Sequence, residues 1–374
     1  MAFENIKEFD QLHRAENIIW MGQNTNHLPA HPKVKESLLR SIHDQSFNLY
    51  APPYGLEELR ELVLNDLRGN NSRKEAQVLI TDGAIAGLYL VCKRFANSQT
   101  SVVTSDPTWV WPLKFSLHEG ASIRCIPVYD KWSGFKLKAE VLDAEFSKCE
   151  NSILYLVDPL NPLGSCYERN ELKEIAEVAK THDVLIVHDC TYRDFAFEHH
   201  LVRDFYPQKT ITTYSFSKWL GIAGLRTGAI IADDPIFSYL LEDQANTLGS
   251  NILGQKAAIA AFKIKDEWIS HINKIQRGNQ NLIQTCVEAL SVLNTLIFPS
   301  NGNFLAIACL EQKISANAVA RAFMKRGIFI RTSDYHSDVF RDDFLKISTT
   351  VPEAWVIKLC NELPSIVDEC LSEK

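Results

Sequence analysis

The chain has no lysine- or arginine-rich run, and its 46 acidic residues outnumber 39 basic ones, giving a formal net charge of −7. Nucleic-acid binding needs a basic face that replaces phosphate counterions, so that class of function is excluded. The nine scattered cysteines, an odd number, include no Cys-x-x-Cys pair. In a chain long enough to build a core without staples they are expected to be reduced core thiols. The histidines, among them His182 and the His199-His200 pair, show no Glu-bracketed pattern, and no metal site is expected. The N-terminal "MAFENIKEFDQLHRAENIIW" has acidic residues and no uninterrupted apolar core. It predicts neither a signal peptide nor a membrane span, and a cytoplasmic protein is the expectation.

What is present is an ordinary globular composition, 46% hydrophobic and 23% charged over 374 residues, which predicts packed structure throughout and two domains. Short β-branched runs alternate with longer helical-period segments: "QVLIT" (77–81), "TSVVT" (100–104), "SIRCIPV" (122–128), "SILYLV" (152–157), "DVLIVH" (183–188), "TITTYS" (210–215) and "GAIIA" (228–232). This rhythm predicts an α/β fold with one mostly parallel seven-stranded sheet and crossover helices. In "NELKEIAEVAKTHD" (170–183), Leu172, Ile175, Ala176 and Ala179 share one helical face that can lie on the sheet. From about residue 236 the pattern turns to long helices, including "DEWISHINKIQRGNQNLIQTCVEALSVL", then "NFLAIACL", a helix near 315–326 and "GIFIRT". The organisation expected is a large domain over 46–265 and a smaller α+β domain built from 1–45 and 266–374, with an N-terminal loop at the substrate.

Ligands of open parallel sheets bind at the carboxyl ends of the strands, so the residues just after each strand are the candidates. "TDGAIAGL" places Gly83, Ala84 and Ile85 at the start of a helix, where free amides can cradle a phosphate. "SDPTWVWP" offers the flat face of Trp109 to a planar ring. "VDPLNPLG" presents Asn161 between two Asn/Asp-Pro turns. "HDCTY" puts Asp189 at the end of an apolar strand, a carboxylate that needs a cationic partner. "YSFSKWLGIAGLRTG" supplies Ser215, Ser217 and Arg226 for a phosphate and Lys218 as an amine nucleophile. Each stretch alone has a plain structural reading: a turn, a core tryptophan, a helix cap, a surface lysine. Together they describe the needs of one cofactor, pyridoxal 5′-phosphate (PLP).

On these motifs the chain resembles fold-type I PLP enzymes of the class I/II aminotransferase group, most closely the histidinol-phosphate aminotransferase branch, from about Tyr50 to Ser348. The order Asn161, Asp189, Lys218, Arg226 matches that family's spacing. The resemblance implies that Lys218 forms an imine with the cofactor and shuttles protons at substrate carbons, while Asp189 keeps the pyridine nitrogen protonated. It further implies that Asn161 and Tyr192 hydrogen-bond the ring oxygen and that Trp109 stacks on the ring. The amides of Ala84 and Ile85, with Ser215, Ser217 and Arg226, would bind the phosphate. Tyr50, in "YAPPYGLEELR", matches a tyrosine that reaches the partner subunit's phosphate, which implies a homodimer with a shared active site.

Three departures bear on the reaction. The family's "NPTG" is "NPLG" here, a change of packing more than of chemistry. The family's arginine in "LRIS", which clamps the substrate carboxylate, is Lys346 in "LKIS", a point charge in place of a two-pronged fork; Arg331 is a candidate to share the clamp. The loop "MGQNTNHLPAHP" offers Asn24, Thr25 and His27 to the substrate, with His27 able to move a proton at a carbon beyond Cα. Asp334, Asp338, Asp342 and Asp343 could favour a cationic substrate tail. These departures, and the look of the whole chain, point toward dehydration and ring closure of a hydroxylated arginine, as in enzymes that make enduracididine or capreomycidine. The alternative is a classical aminotransferase acting on an amino acid and a 2-oxo acid. A non-catalytic regulator that binds the cofactor is the third and least favoured reading.

Overall fold

A computed structural model describes residues 10, 12–14, 17–68, 76–242, 248–310 and 314–372. In chain order its elements are β1 (Ile19–Trp20), α1 (Pro32–His43), α2 (Glu57–Arg68), β2 (Ala76–Thr81), α3 (Ala84–Phe95), β3 (Thr100–Asp106), α4 (Trp111–His118), β4 (Ser122–Pro127), α5 (Ala139–Phe146), β5 (Asn151–Val157), α6 (Arg169–Thr181), β6 (Leu185–Asp189), β7 (Thr210–Ser215) and β8 (Gly228–Asp233). There follow α7 (Ile236–Leu241), α8 (Ile252–Phe262), α9 (Lys265–Glu288), β9 (Leu293–Thr295), β10 (Phe304–Cys309), α10 (Ala316–Lys325), β11 (Ile328–Phe329), β12 (Arg331–Thr332), β13 (Phe344–Ser348) and α11 (Glu353–Ser372).

The seven predicted strands form one sheet in the order β2-β8-β7-β6-β5-β3-β4. All run parallel except β8, which pairs antiparallel with both β2 and β7. That reversal matters for the site, because it brings the residues before β8 to the same edge as the residues after β2, β5, β6 and β7. Side-chain alternation splits the core across the sheet. Val78 and Ile80 of β2 and Ala229 and Ile231 of β8 pack with α1, α2 and α8, whereas Leu79, Ile230 and Ala232 pack with α3 and α6. The predicted face of α6, Leu172, Ile175, Ala176 and Ala179, is fully buried, and a reciprocal capping box between Glu168 and Glu171 starts the helix.

A four-stranded sheet, β12-β13-β10-β9, and the short parallel pair β1-β11 share a separate core with α9, α10 and α11. The helix expected to run through Leu293 stops at Glu288, because Leu293 is drawn into β9 opposite Cys309. No helix among the described residues is long and apolar enough to cross a membrane.

Candidate active site

The strand tips of the large sheet and the edge of β12-β13 enclose a cavity of about 250 Å³. Its lining includes Asn24, Ala84, Ile85, Trp109, Asn161, Asp189, Tyr192, Ser215, Ser217, Lys218, Arg226, Arg331 and Lys346, all of them expected from the sequence. Gly22, Gln23, Val157, Thr191, Ala223 and Tyr335 complete it.

Asp189 ends β6 and is 3% exposed. Its oxygens accept only from neutral donors: the Tyr155 hydroxyl on Oδ2 (3.0 Å), and the Thr191 hydroxyl and amide on Oδ1 (2.6 and 3.1 Å). Burial raises its pKa and these donors work against that rise. Among the described residues no cationic side chain pairs with it. The partner that such a buried carboxylate requires must come from a ligand, and a protonated ring nitrogen in the cavity fits.

Lys218 follows β7 at the cavity wall, and its Nζ donates to the Gln23 carbonyl (3.0 Å). Burial, then the nearby Arg226 guanidinium, bring this amine down to about 8. Relative to an ordinary lysine, the neutral nucleophilic fraction near pH 7 rises by roughly 300-fold.

Close backbone approach builds the end of the cavity where the sequence leads one to expect a phosphate. Ser215 and Gly228 pair across β7-β8, and Thr81 of β2 faces Gly228 from the other side. A Cβ at Gly228 would lie 2.4 Å from the Ala84 amide nitrogen, so only glycine lets the start of α3 settle here. Gly83 caps α3 at φ +78°, where a Cβ would lie 2.5 Å from Arg226 Nη2. The Ala84 and Ile85 amides, at the start of α3 ahead of its own hydrogen-bond ladder, thus meet Ser215, Ser217 and the Arg226 guanidinium around one space. Arg226 is held there in the left-handed region (φ 51°), with Nη1 donating to the Ala223 carbonyl (2.7 Å).

The opposite wall comes from the smaller sheet and the N-terminal loop. Arg331 and Lys346 are directly paired across β12-β13, so both side chains stand on one face of the sheet. Arg331 lies over the Tyr335 ring (4.3 Å), and Lys346 Nζ donates to Asn161 Oδ1 (3.1 Å). Asn24, in the left-handed region (φ 53°), is a clasp: its amide donates to Ser348 Oγ (2.8 Å), its Nδ2 donates to the Tyr192 hydroxyl (2.9 Å), and its carbonyl accepts from Asn303 (3.0 Å).

Four expected residues lie off the cavity wall: Gly83, which caps α3 behind the Ala84 and Ile85 amides, and Thr25, His27 and Tyr50. Thr25 turns its carbonyl to the Thr350 hydroxyl (3.2 Å). The His27 ring packs on Trp355 (5.1 Å between centroids), and its Nε2 is buried without a hydrogen bond. Burial, then Lys218, lower its pKa, which does not suit a proton donor. Tyr50 is 86% exposed, in a surface run with Phe47 and Leu49. The residues that sequence reasoning missed left faint signals. Tyr155 is a single hydroxyl in the apolar run "SILYLV", and Tyr335 sits four residues past Arg331.

Behind Asp189, on the other side of β6, lies a buried group that the sequence did not suggest. Asp158 Oδ2 stands 3.5 Å from His188 Nε2 and 3.3 Å from His199 Nε2, with Cys190 alongside. Tyr167 donates its amide to Asp158 Oδ1 (3.1 Å), and the Val202 amide donates to His188 Nδ1 (3.5 Å). An accepting Nδ1 leaves the His188 proton on Nε2, facing the carboxylate. Burial would raise Asp158, but the two histidines more than offset it and hold the group well below the usual carboxylate range. His199 Nε2 also meets the Asp158 carbonyl (3.1 Å), and His199 Nδ1 is buried without a hydrogen bond.

An amine poised near neutrality, a buried acid awaiting a ring nitrogen and a phosphate cradle, all facing one cavity, define a PLP-dependent enzyme of the aspartate aminotransferase-like fold. A family model described as aminotransferase class I and II matches residues 16–363, and the chain belongs to that family. Over 341 residues it is 26% identical to a histidinol-phosphate aminotransferase from a Geobacillus species, covering 88% of this chain and 86% of that one. It is also 26% identical to an aspartate aminotransferase of Sulfurisphaera tokodaii over 283 residues, which is 71% of this chain and 68% of the relative. A solved aspartate aminotransferase from Thermus thermophilus with maleate superposes with a TM-score of 0.84 at 19% identity, over 97% of this chain and 95% of that one, a likeness of fold.

Proposed function

We propose that the protein transfers the amino group of a free amino acid to a 2-oxo acid at this cavity. The observation that carries the reading is the convergence on one cavity of Lys218, Asp189 and the Arg331-Lys346 pair. When bound, PLP supplies an aldehyde carbon for the amine and a ring that draws electrons from the substrate Cα. Asp189 holds a proton at the ring nitrogen, and the Tyr155 and Thr191 hydroxyls keep that carboxylate charged and aimed. The start of α3, Ser215, Ser217 and Arg226 anchor the phosphate, Trp109 covers the ring, and Asn161 with Tyr192 orients the ring oxygen. Arg331 and Lys346 seat the α-carboxylate, which fixes the Cα–H bond toward Lys218, and the Lys218 amine takes that proton and returns one.

Amino transfer needs no acid at a carbon beyond Cα, which agrees with His27 lying off the cavity wall. Dehydration and ring closure of a hydroxylated arginine would need such a group, and that reading gains nothing from the geometry. The exposed run of Phe47, Leu49 and Tyr50 supports a homodimer in which Tyr50 serves the partner's site. The test is mass spectrometry of the holoenzyme with a panel of amino acids, 4-hydroxyarginine included, with and without 2-oxoglutarate. Amino transfer predicts product beyond one equivalent per active site only with the oxo acid, together with an equal amount of glutamate. Loss of water from the hydroxylated substrate without any oxo acid would replace this reading with elimination.

A further inference from the structure

The carboxylate wall is where this chain departs from its family's arginine, and lysine differs from arginine in more than shape. A lysine can release its proton in a protein interior; an arginine does not. Lys346 lies within β13, is 3% exposed and lines the cavity. Its Nζ meets the neutral Asn161 Oδ1 at 3.1 Å and stands 5.6 Å from the Phe304 ring centroid. No carboxylate forms an ion pair with it among the described residues.

The titratable groups that face Lys346 are cationic or neutral. Arg331 is its cross-strand neighbour on β12, and Lys218 approaches from the loop after β7. His336, beyond them, is tied through Nδ1 to the Thr108 carbonyl (3.1 Å), and burial pushes it well below the usual histidine range, so it faces Lys346 uncharged. Tyr192 and Tyr335 line the same cavity, and Asp189 sits at its far wall. An ammonium here would be a dry charge beside like charges. Burial, then Arg331 and Lys218, push the Lys346 amine well below the ordinary lysine range.

We propose that Lys346 is a carboxylate clamp that gains its proton together with the substrate: uncharged and bonded to Asn161 in the empty site, it becomes an ammonium when the α-carboxylate seats beside it and Arg331. The inference rests on the cavity being the amino-acid site proposed above. One proton enters from solvent with each carboxylate, no covalent bond breaks, and the cavity's net charge is unchanged. An arginine in this place carries its charge permanently and takes up nothing. With lysine, carboxylate affinity falls by up to about tenfold per pH unit above the titration point of the empty site.

The experiment is isothermal titration calorimetry of the holoenzyme with 4-methylpentanoate, a carboxylate that lacks an amino group, near pH 8 in phosphate and in Tris. The difference in heat between buffers counts protons, and cofactor absorbance followed in parallel counts those taken up at the cofactor. Wild type is expected to take up about one proton beyond the cofactor's share, and Lys346→Arg none. Lys346→Met covers the case in which arginine does not fit; it should bind weakly and also take up no extra proton. Equal uptake by wild type and either variant that binds overturns the role of Lys346 alone. Absence of carboxylate binding to wild type across the neutral and mildly alkaline range overturns the amino-acid reading of the cavity, and this inference with it.

Discussion

Tyr155→Phe removes one oxygen from the structure and tests how Asp189 works. The Tyr155 hydroxyl is buried and donates to Asp189 Oδ2 at 3.0 Å, yet Tyr155 is not part of the cavity lining. A hydrogen bond to a charged group contributes about 1.5–3 kcal/mol, so its loss leaves the buried carboxylate less favoured against the neutral acid by that amount. In the proposed reaction the same charge would stabilise the protonated ring nitrogen while negative charge leaves Cα. If the full loss reaches the transition state, Cα–H cleavage slows by about ten- to 150-fold. The assay is exchange of the substrate Cα proton with deuterated solvent, followed by NMR at saturating amino acid, since exchange reports proton abstraction without the second half-reaction. KM should move little, because no substrate atom meets the removed oxygen. An exchange rate within about twofold of wild type, in a variant with unchanged melting temperature, would refute the claim that this donor sustains Asp189.

Three further outcomes are expected. The amine of Lys218, brought to about 8, is protonated below that point and neutral above it, so capture of PLP by the apoprotein should quicken about tenfold per pH unit toward 8 and then level off in stopped-flow absorbance; a flat profile contradicts the assignment. Gly83→Ala places a side chain at φ +78° and 2.5 Å from Arg226 Nη2, strain of about 1–3 kcal/mol, and should weaken PLP binding about tenfold or more in equilibrium dialysis. On the face of β7 away from Ser215, Lys265 bridges Asp66 and Asp194 at 2.6 Å each, and removing it by Lys265→Met should destabilise the fold by about 1.5–3 kcal/mol in urea unfolding, because both charged bonds are lost while Arg193 still pairs with Asp66 (2.9 Å).

The sequence made the active-site floor legible because a parallel sheet aligns strand tips regardless of their distance along the chain. Asn161 follows β5, Asp189 ends β6, and Ser215 ends β7 with Lys218 just after it; once the strands are recognised their meeting is forced. Arg226 was legible only through its spacing from Lys218; the physical reason for its place, the reversed direction of β8, is a matter of pairing that the sequence does not state. The same holds for Arg331 beside Lys346, which depends on the register of two short strands. Tyr155 went unnoticed because an aromatic in a buried strand reads as core, and only its hydroxyl's aim distinguishes it. His27 stands apart for the converse reason: a polar loop next to a site looks functional, while packing on Trp355 keeps the ring off the cavity wall. The end of α9 at Glu288 shows a local helical period yielding to a strand pairing with β10.

The central claim is that the cavity at the strand tips, with Lys218 at its wall, is where the amino-group chemistry takes place. Borohydride reduction of the PLP-loaded protein, followed by proteolysis and peptide mass mapping, tests this most directly. The account predicts a stoichiometric pyridoxyl adduct on Lys218 that is lost when an excess of a good amino-acid substrate is added before reduction. An adduct centred on another lysine, or one on Lys218 that no amino acid displaces, would contradict it.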